Sequence, residues 1–247
     1  YYDHYVRAMS RLLDVLFMTR RQEQMVHVVE SLERELPRIE PRTDHLVIVS
    51  NLCLLQAKIN IHFLEGSFAE GVKLVEQVEE FLRKYGRHID EHYRMLFAYK
   101  IACLYFGNGE YRKCIGYLHS IISLPNPQFR RDLQVFARIL HLIASYEAGD
   151  DYSLEYQIRS VYSFVVKIND MHSVQHEIIT FLKRIPHTYA SDFKGELTRL
   201  YEHLKPLEQH PYERRPFFYL DIISWLESKI LDRPIAEIIR RKYGSKR

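Results

Sequence analysis

Two histidines and a glutamate, His88, Glu91 and His92, stand at a spacing that could hold a catalytic zinc ion. In an H-x-x-E-H pattern both histidines bind the metal from one helical face, and the glutamate acts as general base. Here Gly86 ends one predicted helix, and Asp90 has the character of an N-cap for the next one. His88 therefore falls in a connector, away from His92, and we expect neither a metal site nor a cofactor.

The other residues give no catalytic pattern. A second histidine pair, His172 and His176, has i,i+4 spacing, but nothing nearby in the sequence completes a metal site. Phosphate-binding glycine loops and acyl-transfer signatures are absent from the sequence. Cys53, Cys103 and Cys114 are odd in number, lack C-x-x-C spacing and lie in apolar helical patterns. They are typical of small buried residues in a reducing compartment, so we expect a protein without enzymatic activity.

Composition favours long helices. The 247 residues are 47% apolar and 27% charged, with only 9 glycines and 9 prolines, too few for the turns of an all-β fold. The net charge of +3 is close to balance, so we do not expect bulk nucleic-acid binding. We expect no membrane partner, because no apolar stretch approaches the ~18 residues needed to span a bilayer. The chain begins at Tyr1 without a signal peptide, and an upstream segment is expected to hold part of the function.

Apolar residues recur with a period near 3.6 almost throughout, which predicts an all-α fold. The predicted helices cover residues 4–19, 22–36, 44–64, 68–85, 91–106, 110–123, 129–148, 153–168, 173–184 and 190–208, followed by helices that begin at Pro216 and Pro234. The turn glycines Gly66, Gly109 and Gly149 lie 43 and then 40 residues apart. This spacing indicates helical hairpins repeated along the chain.

The clearest repeat pattern lies between Met95 and Pro127. Small, aromatic and apolar residues occupy characteristic positions around the turn at Gly109, namely Ala98, Ile101, Ala102, Tyr105, Glu110, Tyr111, Cys114, Leu118, Ile121 and Pro125. This stretch resembles a tetratricopeptide (TPR) hairpin, although a minimal TPR repeat has about 34 residues. The resemblance implies a right-handed α-solenoid of about four TPR-like hairpins over residues 1–168. It also implies C-terminal capping helices over residues 169–247, continuous with the solenoid.

The resemblance further implies a cytoplasmic, non-enzymatic protein–protein interaction scaffold that binds a peptide or helix in its concave groove. In such an array the first helix of each hairpin lines that groove. The residues placed there are Gln56, Asn60, Tyr99, Cys103, Leu140, Ala144 and Glu147. Amides and carboxylates would hold a peptide backbone, and an aromatic side chain would provide an anchor pocket. The alternative is that these residues pack beneath the C-terminal helices, which would then fill the groove.

The helix predicted at 129–148 is apolar on nearly every side, so it should lie at the centre of the fold. Its polar stripe consists of Gln134, Arg138, His141 and Ser145. An arginine in that setting needs a carboxylate partner, and Glu147, Glu155 or Glu177 could reach it. Arg138 therefore either forms an ion pair that locks adjacent repeats or belongs to a polar row along the ligand groove.

The C-terminal tail is basic, with six basic residues against one acid from Arg233 to Arg247. Arg240, Arg241 and Lys242 could contact an anion such as RNA, DNA or an anionic lipid, or they could complement the helix dipole. Two alternative functions stay open: a peptide-sensing regulatory domain that controls an output domain missing from this chain, and a nucleic-acid-associated factor that uses this tail. The terminal helices could also form a homodimer across a two-fold axis.

Overall fold

The computed structural model describes residues 2–40, 43–125, 129–168, 173–184, 192–209 and 221–243, and within these ranges the chain is helical without a strand. The all-α prediction is confirmed. The α-helices are α1 (Tyr2–Met18), α2 (Gln22–Glu35), α3 (Asp44–Glu65), α4 (Phe68–Val72), α5 (Leu74–Tyr85), α6 (Glu91–Gly107), α7 (Tyr111–Ile122), α8 (Arg131–Glu147), α9 (Asp151–Ile168), α10 (Ser173–Arg184), α11 (Phe193–Leu204), α12 (Ile222–Leu231) and α13 (Ile235–Tyr243). Short 3₁₀ turns lie at Leu36–Arg38, Gly86–His88 and Lys205–Gln209.

Two helix predictions need comment. The helix expected over 68–85 is divided at Lys73, whose amide donates to carbonyls three and two residues earlier instead of continuing the α-helical pattern. The helix start expected at Pro216 lies outside the described residues. The described part of that helix, α12, follows Asp221, whose carboxylate accepts the Ser224 amide at 3.0 Å. This N-cap satisfies one of the free amides at the helix start.

The described hairpin tips share one backbone conformation. The residues at these tips have positive φ angles, and they are Arg20, Gly66, Gly109, Gly149 and Asp232. The amide of the next residue donates to the carbonyl five residues before it, over 2.8 Å to 3.1 Å. This Schellman-type bond satisfies a terminal carbonyl of the first helix while the chain reverses. The turns predicted at the three glycines are confirmed.

The chain contains two compact units, and the first comprises residues 1–97 and 239–247. Within it α1, α2 and α3 pack against one another, and α5 packs against α3. Their shared core includes Val6, Leu13, Met25 and Leu32. The first two hairpins therefore bury their apolar faces mainly against each other, as amphipathic helices require.

The second unit comprises residues 98–238. In it α8 packs against both α7 and α9, and α10, α11 and α12 follow as successive packed neighbours. The side chains of α8 are buried on nearly every side, including Leu133, Phe136 and Ile143. This confirms the central position predicted for that helix. The predicted domain boundary between residues 168 and 169 falls inside this unit, whereas the observed division at residues 97 and 98 falls within α6.

Among the described helices, α3 is long and apolar enough to cross a bilayer by length and composition. The expectation that no apolar stretch has that length was therefore wrong. The reason is that only Lys58 interrupts a long run of uncharged or histidine residues between Asp44 and Glu65. Half of the most apolar window is buried inside the structure, and the central helix of a protein core passes the same test.

Candidate functional site

The residues predicted to line one groove are distributed over both units. Gln56 and Asn60 lie in the first unit, whereas the second unit contains Tyr99, Cys103, Arg138, Leu140, Ala144 and Glu147. Asn60, Tyr99 and Leu140 are buried and belong to the core. The amide of Gln56 donates to the carbonyl of Leu52 at 3.0 Å, within its own helix. In this structure the three buried side chains offer no surface that a peptide could contact.

The cysteines are not nucleophiles in this environment. Burial raises the pKa of the Cys53 thiol to about 11 and that of Cys103 to about 12, although Tyr99 forms a hydrogen bond with Cys103. Burial also raises the pKa of Cys114 well above its usual value. Since the thiolate is the reactive form, these side chains stay protonated and inert near neutral pH.

The two ends of the H-x-x-E-H pattern lie in different elements. His88 ends a 3₁₀ turn, whereas His92 lies in the first turn of α6. The His92 amide donates to the Asp90 carboxylate at 2.9 Å, so Asp90 has the N-cap role predicted from the sequence. His172 lies outside the described residues, and His176 lies 3.9 Å from the carboxylate of Glu177. The described part of the chain contains no group of three or more histidine, cysteine or acidic residues that could hold a metal.

A serine, a histidine and a glutamate meet at the turn between α3 and α4. Ser67 donates its hydroxyl to Glu65 at 2.8 Å, and the Nδ1 atom of His62 lies 2.7 Å from the same hydroxyl oxygen. Since the one hydroxyl proton points to Glu65, Nδ1 donates and cannot remove that proton. Glu65 also accepts the Gln22 amide at 2.9 Å. The cluster therefore ties a hairpin tip to α2 rather than forming a catalytic triad.

The polar stripe of α8 caps the C-terminus of α7. The Gln134 amide donates to the carbonyl of Ile121 at 3.1 Å, and Arg138 donates to the carbonyl of Ile122 at 3.3 Å. The Arg138 guanidinium also bonds to the side chain of Gln134 and lies 3.7 Å from the ring centre of Phe164. The Ile121 carbonyl also accepts the Leu124 amide at 3.3 Å. Carbonyls at this end of a helix carry its negative dipole end, so they suit donors of this kind.

The expected carboxylate partner of Arg138 is not found among the described side chains. Glu147 binds Lys229 instead, and Glu177 binds His203. The side chain of Glu155 lies outside the described residues. Burial lowers the pKa of Arg138 to about 10, which leaves the guanidinium charged at neutral pH. Arg138 thus joins neighbouring helices, but it does so through carbonyl groups and an aromatic ring.

The best candidate site is built around Glu147, at the end of α8. Its side chain is only 6% exposed. One carboxylate oxygen accepts the indole N–H of Trp225 at 2.7 Å, and the other accepts the ammonium group of Lys229. Tyr111 forms a further hydrogen bond with Glu147, and burial together with this carboxylate raises the pKa of Tyr111 to about 12. A buried carboxylate needs such donors, and here they connect α7, α8 and α12.

A cleft of about 400 Å³ opens beside this carboxylate, entirely within the second unit. One wall is the hairpin tip between α6 and α7, and the other is α12 with the turn that follows it. The lining residues are Phe106, Gly107, Asn108, Gly109, Tyr111, Trp225, Ser228, Lys229, Asp232, Arg233, Pro234 and Ile235. The cleft therefore combines aromatic residues with a few polar groups, among them the cationic side chains of Lys229 and Arg233. Ligand sites commonly have this composition.

The glycine-containing tip does not form a phosphate cradle. The amides of Asn108, Gly109 and Glu110 donate to carbonyls of α6 at 3.0 Å, 3.0 Å and 2.9 Å. These bonds close the hairpin turn, which is the role predicted for the glycines. Backbone N–H groups that already have partners cannot also bind an anion in the way that a nest does. The polar recognition in this cleft must come from side chains.

A smaller cleft of about 210 Å³ in the first unit is a weaker candidate. Its charged residues, Lys58 and Glu33, form an ion pair with each other at 2.5 Å. Asn51 donates its amide to the carbonyl of Val47 at 2.8 Å. The polar groups of this cleft are therefore used within the protein.

The basic residues predicted to contact an anion end α13. Arg240 and Arg241 are exposed, and Lys242 is half-buried. All three lie in the last turn of the helix, where positive charge stabilises the negative dipole end. Their position suits this structural role.

Sequence reasoning identified Glu147 but missed the residues that bind it. Trp225 and Lys229 are 78 and 82 residues away from Glu147 along the chain. Their i,i+4 spacing places them on one face of α12, which was the available signal. The sequence predicts an inward apolar stripe on that helix made of Tyr219, Ile222, Ile223, Leu226 and Ile230, which leaves out Trp225. Ile222, Ile223 and Leu226 are buried, Ile230 is half-buried, and Tyr219 lies outside the described residues.

Comparison with known proteins gives no assignment for this site. No protein-family model, curated protein or solved structure matches the chain.

Proposed function

We propose that this protein is a non-enzymatic, cytoplasmic interaction module, built as a TPR-like solenoid, that binds a peptide segment of a partner protein. The observation that carries the proposal is the cleft beside Glu147. The half-buried side chains of Tyr111 and Ile235 give it apolar surface, exposed residues such as Asn108 and Arg233 give it polar groups, and a hairpin tip forms its edge. Such a surface can hold an extended segment or one turn of a helix through an apolar anchor and a few polar contacts.

The internal hydrogen bonds of the site support binding rather than catalysis. Tyr111, Trp225 and Lys229 all bind Glu147, so a general base would have to release several donors before it could accept a proton. The same bonds hold the aromatic and cationic side chains in fixed positions. Fixed side chains lose little conformational entropy when a ligand arrives, which favours recognition.

Site-specific photocrosslinking tests this function. A photoreactive benzoylphenylalanine replaces Asn108, which is exposed at the cleft, and the protein is irradiated in a cytosolic extract. We expect a crosslink to one defined segment of a partner protein, identified by mass spectrometry. An excess of that segment as a synthetic peptide should abolish the crosslink, because both compete for one site.

The matched control places the same photoreactive residue at Tyr156, which is 77% exposed on α9. This position should not crosslink the partner segment, since it does not line the cleft. Equal crosslinking from both positions, or crosslinks that the synthetic segment fails to compete, would show that the cleft is not a peptide site.

A further inference from the structure

Lys229 is held in place at the cleft before any ligand binds. Its ammonium group donates to Glu147, and among the described residues Glu147 is the partner that the structure shows at hydrogen-bond distance. An ammonium group has three N–H donors, so two are left for other acceptors. The Lys229 side chain is 35% exposed, and it lines the cleft. The buried carboxylate thus fixes a cation whose remaining donors are accessible from the cleft.

Arg233 adds a second cation to the same cleft. One of its terminal nitrogens donates to Glu237 at 2.7 Å, and the side chain is 41% exposed. A guanidinium group has five N–H donors in a planar fork that matches the two oxygens of a carboxylate. Lys229 and Arg233 therefore offer donors of two geometries to one anionic group.

The rest of the lining limits the ligand to a singly charged group beside an apolar one. Asp232 is exposed at the rim and would repel a dianion such as a phosphate ester. The amides of the glycine tip are engaged in the turn and cannot help to bind one. Tyr111 and Ile235, which are half-buried, supply aromatic and aliphatic surface for a neighbouring side chain, and Phe106 and Trp225 lie buried in the lining.

We infer that the cleft recognises a peptide in which an acidic side chain stands next to an apolar one, with the carboxylate between Lys229 and Arg233 and the apolar side chain against the aromatic wall. This inference rests on the proposed function and narrows it to a class of sequence. The acid is a side chain within the peptide, so a blocked peptide without a free C-terminus retains the whole recognition element.

Trp225 allows this inference to be tested directly, because it is the one tryptophan in the chain and it lines the cleft. Its fluorescence is recorded while the purified protein is titrated with N-acetyl-Glu-Phe-amide or with N-acetyl-Gln-Phe-amide. The two probes have nearly the same shape and differ in charge. We expect the Glu probe to bind about tenfold more tightly, as for the loss of a charge-assisted hydrogen bond.

Substitutions of Lys229 and Arg233 test whether the carboxylate of the peptide lies between these two side chains. Arg233→Gln should lower the affinity for the Glu probe several-fold and leave the affinity for the Gln probe unchanged. The control variant Lys194→Gln, on the exposed surface of α11, should change neither affinity. Lys229→Gln should remove most of the preference for the Glu probe over the Gln probe. Because this substitution also removes one hydrogen-bond donor to Glu147, circular dichroism is used to check that the variant is folded. Arg233 is exposed, so its variant decides the question even if Lys229→Gln unfolds.

Two results would overturn the inference. Equal binding of the two probes would show that the cleft does not select a carboxylate, and so would a Glu preference that survives Arg233→Gln in full. Absence of any fluorescence response up to about 10 mM of either probe also rejects the acidic-apolar class. In each case a competed crosslink from position 108 would still support the proposed peptide-binding function, so the two failures are distinguishable.

Discussion

Arg138 and Gln134 show how a polar stripe on a central helix can serve the fold rather than a ligand. Both donate to the last two carbonyls of α7, at the negative end of that helix. Glu147, by contrast, binds a partly exposed cation, Lys229, that lines an open cleft. What separates the two sites is the exposure of the groups around the charge.

Replacing Arg138 with methionine tests the structural role. Arg138→Met keeps much of the side-chain volume but removes the donor to Ile122 and the cation above Phe164. We expect the free energy of unfolding to fall by about 1–3 kcal/mol, because a half-buried carbonyl loses its partner. Urea denaturation measures this change. Arg131→Met, at the exposed start of α8, is the control and should stay within about 0.5 kcal/mol of wild type.

A different result would indicate that Arg138 contacts a ligand. In that case Arg138→Met would keep the stability of the wild type but lose the crosslink from position 108. That outcome would favour the alternative in which Arg138 belongs to a ligand-binding row.

At the scale of elements, the sequence predicts features that depend only on nearby residues, such as the glycine turns. Gly66, Gly109 and Gly149 were recognised as hairpin tips because glycine adopts a positive φ without a steric penalty. Arg20 and Asp232 form the same turn with φ of 57° and 50°, and residue type alone does not reveal them. The helix ends predicted near residues 19 and 234 placed a turn at each of these two tips. The sequence did not identify which residue takes the positive φ that accompanies the local backbone bonds there.

The candidate site was predictable only in part, for a related reason. Glu147 was named because the TPR resemblance places it in the groove on the first helix of the fourth hairpin, and because it could reach Arg138. Its partners Trp225 and Lys229 come from α12, and periodicity gives no information about which distant helix packs against a given face. The apolar content of α8 likewise predicted burial, but not that α7 would supply carbonyl acceptors for Arg138.

Alanine substitutions at two positions of α1 distinguish the effect of burial on stability from the effect of helix propensity. Leu13 is 2% exposed, whereas Val15 is 54% exposed on the other side of the same helix. Alanine is a good helix former at both positions. We therefore expect Leu13→Ala to lower the free energy of unfolding by about 2–5 kcal/mol, because it leaves a cavity in the core. Val15→Ala should change it by no more than about 0.5 kcal/mol.

Urea denaturation of both variants beside wild type gives this comparison. A large loss for Val15→Ala would mean that the exposed face of α1 is covered in solution. A negligible loss for Leu13→Ala would contradict the packing of α1 against α2 and α3.

At the scale of the whole molecule, the division into two compact units predicts that stability is local. Helices in each unit pack mainly on sequence neighbours, so a cavity should weaken its own unit first. Leu13→Ala should speed amide hydrogen exchange in α1, α2 and α3. Leu142→Ala, at a fully buried position of α8, should speed exchange in α7, α8 and α9 instead. Hydrogen-exchange mass spectrometry of both variants compares the two patterns peptide by peptide. Faster exchange over both units from either substitution would show one cooperative folding unit, because a cavity in one part would then lower the opening free energy of every helix.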